Sequence, residues 1–482
     1  MVEKTLTRRI LLVALVARLL VFGAALHGVF MIGEGRTQAD LADNILHGKG
    51  FMLSESMMYP DGEENAPPMF RSAFEFYRRV DGYYGALRPG QPTMFLVPGY
   101  AIFMAGIFAV FGSGSLIAVR GIQLILGVLT VLIGLKIAGR FLNGRYLLFT
   151  GLFIALDPFE LYYEALPATQ ALFSLLFLLG ILLSLSLIER SLKGGRFLIK
   201  ATVAGIAWSA AFYVRPASLP VMLWLFMILP FTPLLNRLLD RLKRVSVSGK
   251  RNTQRWFSKR GLFSALTVLV VFSLLILPWG FRNKRISGTF RIMPAQGGVN
   301  LWEYNGRIFT DHFRDEARGA LLLYSRIRDQ YMNSLNSPDL AEFPEFRDEP
   351  EWVRDSILYH RNIRFMLDNP VLTLRLISLR FVEFFKPFPL NSFSPLYTAV
   401  GLLSLFWVLF FLWGGAAICS VENGSEGFFL ATLVAGYSLM HLLTASGTPH
   451  RIAIDFPMAI AAMCGIRYSV RRYFAWKRLK DA

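Results

Sequence analysis

The chain is poor in cysteine and in charge. Its only two cysteines in 482 residues, Cys419 and Cys464, both sit in apolar stretches, which argues against a disulfide framework. No cysteine/histidine pair stands at metal-binding spacing and no Walker-type glycine loop occurs, so structural zinc and ATP-driven transport lose their support. Charged residues make up 17% of positions, against roughly 25% in an ordinary soluble domain. No repeat of fixed period is present. What the chain has in abundance is apolar surface, at 54% of residues, with 14% aromatic. Nearly uninterrupted apolar runs of about 20 residues, the length that crosses a hydrocarbon core about 30 Å thick, recur from end to end. The expected class is therefore an all-α integral membrane protein with many crossings.

Lysine and arginine total 51 against 33 aspartates and glutamates, a formal charge of +18. On a soluble face this excess would suggest nucleic acid, but the cations fall between apolar runs, so topology explains them and no nucleic-acid partner is expected. Membrane helices are expected at about 10–32, 115–139, 146–163, 167–187, 201–214, 217–234, 261–279, 395–417, 427–445 and 453–470. The stretch from Ile10 to Ile32 exceeds the roughly 7–15 apolar residues of a signal peptide and reads as a retained first helix. Arg18, inside it, is expected to reach toward the cytoplasmic headgroups.

Basic residues gather on alternate connections, as cytoplasmic loops require. Arg140 and Arg145, Arg190 to Lys200, the run from Arg237 to Arg260 and the tail from Arg471 to Lys480 fall on one side, which places both termini in the cytoplasm and the long loops 33–114 and 280–394 outside, in a cytoplasmic (inner or plasma) membrane. The segment Thr93 to Phe111 would spoil this alternation if it crossed, and Pro98-Gly99 interrupts it, so it is expected to lie on the surface or re-enter. Within 280–394 a charged helix is expected near 347–368 and an interfacial one over 370–385. Three parts follow: a module 1–279 that includes the 33–114 loop, the 280–394 loop, and helices 395–482 with a basic tail.

Chemistry is most plausible on the outer edge. Glu34 follows the first helix, and a carboxylate partly buried there can be tuned to accept a proton from an attacking hydroxyl. Asp157 and Glu160 share that edge, although Asp157-Pro158 also has the form of a helix cap or turn. Arg215-Pro216 is pinned between two apolar segments, where a planar guanidinium suits a departing phosphate. Arg88 and Arg282 are secondary phosphate candidates that headgroup contact explains equally well. His441 and His450, nine residues apart with no carboxylate at ligand spacing, do not make a metal site by themselves.

Gly33-Glu34, Leu41-Ala42, Asn44-Ile45 and Gly48-Lys49-Gly50-Phe51 resemble the opening signature of glycosyltransferase family 39 and its relatives in the GT-C superfamily. In the same order follow Val97-Pro98-Gly99-Tyr100, Val119 to Gln123, Gly139 to Gly144, Leu277-Pro278-Trp279 with Arg282-Asn283, and Gly297 to Trp302 with Asn305. Asp157-Pro158 resembles a stretch of the lipid A aminoarabinose transferases. The sequence departs from the pattern in carrying Glu34 for the usual aspartate, Gln38 for a common aromatic, and Gln170 where many members place a second acid.

The resemblance implies a GT-C-like fold of about ten crossings with juxtamembrane helices in the two long loops. It implies an inverting transferase that takes a monosaccharide from a polyprenyl-phosphate carrier to a glycan, lipid or protein acceptor outside the cytoplasm. Glu34 and Asp157 would be catalytic, and Arg215, Arg88, Arg282, Glu160, Gln170, Tyr100 and Asn300 would bind donor or phosphate. Metal dependence stays open, since some GT-C enzymes use a divalent metal and others none. A flippase for lipid-linked sugars, or a family member without turnover, remains as an alternative reading.

Overall fold

The computed structural model describes residues 2–26, 33–54, 90–189, 195–243, 256–305, 349–385, 408–444 and 448–480. Fifteen α-helices order them: α1 (Val2–Leu26), α2 (Gly33–Leu46), α3 (Gly99–Phe111), α4 (Leu116–Phe141), α5 (Gly144–Ala155), α6 (Pro158–Glu164), α7 (Thr169–Ile188), α8 (Arg196–Val214), α9 (Leu219–Lys243), α10 (Lys259–Ser287), α11 (Gly297–Asn305), α12 (Glu351–Asp368), α13 (Pro370–Phe385), α14 (Ala416–Leu443) and α15 (Thr448–Lys480). Among the described residues seven helical stretches are long and apolar enough to cross a membrane, and α1 adds a further helix of 25 residues. The protein is an integral membrane protein with an all-α fold.

The third expected crossing is broken. Asp157 precedes Pro158, and its Oδ1 accepts from the backbone N–H groups of Phe159 and Glu160 at 2.9 and 3.1 Å. A proline at the first helical position and a carboxylate that satisfies the free amides start a new helix, so α5 ends and α6 begins there. The segment 93–111 yields only the 13-residue α3. At 1.5 Å per residue it measures about 20 Å, short of a bilayer core. Helices α12 and α13 fall where a charged and an interfacial helix were expected. Much of the 395–417 segment lies outside the described residues; its end carries a π-turn, Phe411–Gly415, and Gly424 (φ 63°) breaks the chain again inside α14. There Ser425 N donates to Asn236 Oδ1 on α9 at 2.8 Å.

Polar contacts sort to the two ends of the bundle. At one end Arg140 of α4 meets Glu189 (3.2 Å) and Glu426 (3.3 Å), and Arg467 of α15 donates to the Phe141 carbonyl at 2.6 Å and pairs with Glu422. These residues belong to the connections that the charge pattern places on one side. At the other end lie Arg18, Glu164, Arg215, Arg451 and the described parts of the two long loops. Between the ends a continuous apolar core runs through α4, α7, α8, α10, α14 and α15, centred on Phe177, Trp208, Phe212, Phe272 and Val434.

Arg18 is not at the headgroups toward which the sequence reading sent it. It is 3% exposed, its Nη2 donates to Glu164 Oε1 at 2.8 Å and its Nη1 to the Ala155 carbonyl at 3.1 Å. The α5–α6 break is the physical reason, since it presents a free carbonyl and a carboxylate to α1 at that depth. Gly127 on α4 leaves room for the Glu164 carboxylate, where any Cβ would collide with it.

Candidate functional site

Four pieces of chain meet at the second end of the bundle: the start of α2, the 165–168 turn, the junction of α8 with α9, and the first turns of α15. Glu34 lies in the first turn of α2, with its side chain outside the described residues. Its neighbour Gly35 packs against the carbonyl of Pro167, and a side chain there would clash with that backbone. The α2 start is thus held on the turn that opens α7 with Thr169 and Gln170.

Arg215 closes on the same turn. It precedes a proline, which disfavours helical backbone for it, and it adopts an extended conformation (φ −148°, ψ 117°) as the cap of α8. Lifted off the helix end, its Nε donates to Thr169 Oγ1 at 2.9 Å and its guanidinium lies 5.9 Å over the Phe173 ring. Gly99, at the start of α3, packs on the backbone of Tyr213, two residues before Arg215. Carboxylate-bearing turn and guanidinium are therefore gathered at one end, with the 165–168 turn between them.

The remaining candidates fall into two groups. Gln170, Glu160 and Asp157 are buried beside this turn, each 4% exposed. Gln170 Oε1 and, one turn into α2 from Glu34, Gln38 Oε1 are buried with no hydrogen-bond partner among the described residues. Buried polar atoms normally find partners, so two such oxygens in one small region mark a place where a ligand or water belongs. Asp157 is occupied as the α6 cap, in the electrostatic reach of Arg451 and Asp455, which pair at 2.8 Å across one turn of α15.

Tyr100, Arg282 and Asn300 work on the loops. The Tyr100 hydroxyl donates to Gln123, whose Nε2 holds the carbonyls of Glu164 (2.9 Å) and Leu166 (2.6 Å), so this pair supports the 165–168 turn from below. Arg282 donates to the carbonyls of Thr93 (2.6 Å) and Phe51 (3.1 Å) while stacking on Trp279 at 4.7 Å, which ties the 33–114 loop to the end of α10. Asn300 is half-buried on α11. Arg88 lies outside the described residues.

Glu351 completes the tie between the loops. It accepts from Thr93 Oγ1 at 2.9 Å and from Met94 N. Burial pushes its carboxyl up to about 7, against those two hydrogen bonds and the Arg282 charge, which pull it down. Asp355, one turn on, accepts from Gly298 N at 2.6 Å and so holds α11 against α12. Sequence reasoning missed Glu351, the Arg18–Glu164 pair and the Arg451–Asp455 pair. The last had a signal, opposite charges four residues apart at the head of an apolar helix; the first two depend on partners more than 140 residues away.

Two comparisons were negative: no protein-family model matches the chain, and no curated protein matches it. Solved structures do match. The chain is similar to the archaeal oligosaccharyltransferase AglB from Archaeoglobus fulgidus in complex with an inhibitory peptide and a dolichol-phosphate, at 14% identity and a TM-score of 0.55, over 99% of this chain and 51% of that one. It is similar also to the apo form of the Archaeoglobus fulgidus oligosaccharyltransferase, at 16% identity and a TM-score of 0.52, over 99% of this chain and 52% of that one. The chain thus spans about half the length of these two structures. At these identities the likeness establishes the fold alone, one that the chain shares with these archaeal membrane proteins.

Proposed function

We propose that the protein is an inverting glycosyltransferase that moves a monosaccharide from a polyprenyl-phosphate carrier to an acceptor on the extracytoplasmic face of the membrane. The observation that carries this reading is the meeting of the Glu34-bearing turn and Arg215 on opposite flanks of the 165–168 turn, through Gly35–Pro167 packing and the Arg215–Thr169 hydrogen bond. Their coming together at one end of a helical bundle, beside buried unpartnered amide oxygens, supports a single polar site at the membrane surface.

In this reading Glu34 takes the proton of the acceptor hydroxyl as its oxygen bonds to the anomeric carbon. The bond from that carbon to the phosphate oxygen breaks on the opposite face, and Arg215 stabilises the departing dianion. Gln170, Glu160 and Asp157 line the sugar side. Arg282, Tyr100 and Asn300 belong to the described parts of the loops that close over donor and acceptor and exclude water. The module 1–279 then holds the base and the phosphate ligand, while 280–394 contributes the cover. With the basic end of the bundle in the cytoplasm, both termini are cytoplasmic and the site is outside. The acceptor is a glycan, a lipid or a protein. The archaeal oligosaccharyltransferase AglB structure is in complex with an inhibitory peptide and a dolichol-phosphate, which agrees with a lipid-linked donor here.

A carrier for lipid-linked sugars is the second reading, because transporters place broken helices and charged groups within the membrane and the α5–α6 break with its Arg18–Glu164 pair is such a feature. Incubating the purified protein with a panel of radiolabelled polyprenyl-phosphate sugars and a membrane extract separates the two. Transfer of label by the wild type, reduced about 100-fold or more in Glu34→Gln, is expected. Equal transfer by both proteins removes Glu34 as the base; movement of labelled lipid across vesicles without any transfer establishes the carrier.

A further inference from the structure

His441 and His450, which do not form a metal site by sequence spacing, stand at the same end of the bundle as Arg215. His441 near the end of α14 stacks on His450 in the first turn of α15, with ring centroids 4.7 Å apart and planes at 28°. Tyr437, one turn earlier on α14, lies 4.7 Å from His441. From Tyr437 the rings continue to Phe177 (5.4 Å) and on to Phe173 (5.3 Å), over which the Arg215 guanidinium sits. A single wall of rings thus runs from Arg215 to His450, although its members come from α7, α14 and α15.

One atom on that wall points to a ligand. Tyr437 is 1% exposed, and its hydroxyl has no hydrogen-bond partner among the described residues. A buried phenol of this kind is a donor waiting for an acceptor, and the Arg215 guanidinium, two rings along the same wall, favours an anion as that acceptor. Arg451 follows His450 directly and is bound to Asp455 and to the Phe384 carbonyl, while Arg380 holds the carbonyls of Leu443 and Thr444 and the side chain of Asn305. With Arg215 these make three arginines; the carboxylates facing them are Asp455 and Asp157.

We infer that Tyr437, His441 and His450 donate, together with Arg215, to the phosphate of the polyprenyl carrier, so that the leaving group is held from α14 and α15 as well as from the α8–α9 junction. This rests on the transferase reading of the site. It also gives the two histidines a role as proton-bearing donors rather than as metal ligands, with the stacked arrangement presenting both rings to one anion.

The decisive measurement is the affinity of the full-length protein, in nanodiscs, for synthetic undecaprenyl phosphate. Wild type is compared with Arg215→Ala, Tyr437→Phe, His441→Phe and His450→Phe. Phenylalanine keeps the ring packing and removes only the donors, and His450→Lys restores a cationic donor at that position. Each donor-deleting variant is expected to bind about tenfold more weakly, with partial recovery in His450→Lys. Wild-type affinity in Tyr437→Phe and both histidine variants, with loss in Arg215→Ala, overturns this inference and leaves the transferase reading standing. No binding to the wild type overturns both. Equal affinity for phosphatidylglycerol, lost in the same variants, assigns the residues to an ordinary lipid headgroup and also overturns the inference.

Discussion

At one end of the bundle Arg140 spans Glu189 and Glu426 with side chains 21%, 47% and 20% exposed; at the other, Arg18 and Glu164 face each other at 2% and 3%. Both are arginine–glutamate pairs between helices distant in sequence. The first stands where water and headgroups share the charge, so the helices would keep their places without it. The second is enclosed by α1, α4 and α6, and loss of the carboxylate leaves the Arg18 charge with backbone carbonyls as its remaining hydrogen-bond partners among the described residues. The arginines of the two ends therefore differ in what they do: at one end they make half-exposed ion pairs, and at the other they hold particular backbone carbonyls and a buried carboxylate.

The two ends would be equivalent if the buried pair proved as dispensable as the exposed one. Glu164→Ala is expected to lower stability in detergent by about 3–5 kcal/mol, because it strands the Arg18 charge, and the double change Arg18→Met with Glu164→Met should recover most of the loss. Denaturation midpoints of the three proteins decide the matter; a single variant indistinguishable from wild type would make the two ends equivalent.

A smaller effect should appear at the junction of the long loops. The Glu351 carboxyl is raised from 4.5 to about 7 in the folded protein, so the folded state holds that proton more tightly than the unfolded chain does. Its contribution to stability is fully present below about pH 4.5 and is lost as pH rises through 7, by on the order of 1–3 kcal/mol. Glu351→Gln should flatten that slope between pH 5 and pH 8, read as protection of the 90–97 and 349–362 backbone in hydrogen exchange. An unchanged slope would move the titration to another group.

The smallest effect is expected at the basic end, where Arg140→Ala should cost less than about 1 kcal/mol. If melting of this variant falls as far as that of Glu164→Ala, the exposed network is structural and the contrast between the ends disappears.

Some of the site could be read along the chain. Arg215-Pro216 was visible as a cation pinned between two apolar segments, and the structure adds that it stands in extended backbone at the end of α8, as a residue before proline should. The short α3 was visible because Pro98-Gly99 and the alternation of basic loops both spoke against a crossing. Asp157 was legible as a cap, and the structure uses it as one. Arg18 was misread: a lone arginine in an apolar helix carries no mark of whether it snorkels or pairs, and Glu164 lies in a segment whose break at Asp157 decides the answer. Tyr437, His441 and His450 gave no usable sign, because ring contacts between helices have no fixed spacing in sequence.

By itself the sequence determined that the chain carries helices apolar and long enough for a bilayer and roughly where most of them fall, since apolar length and proline placement are local properties with local consequences. Tertiary structure alone decided which charges are buried together and which rings and turns surround Arg215. Those relations depend on how helices pack across distances of more than a hundred residues, and in a uniformly apolar core many packings satisfy the same pattern of hydropathy.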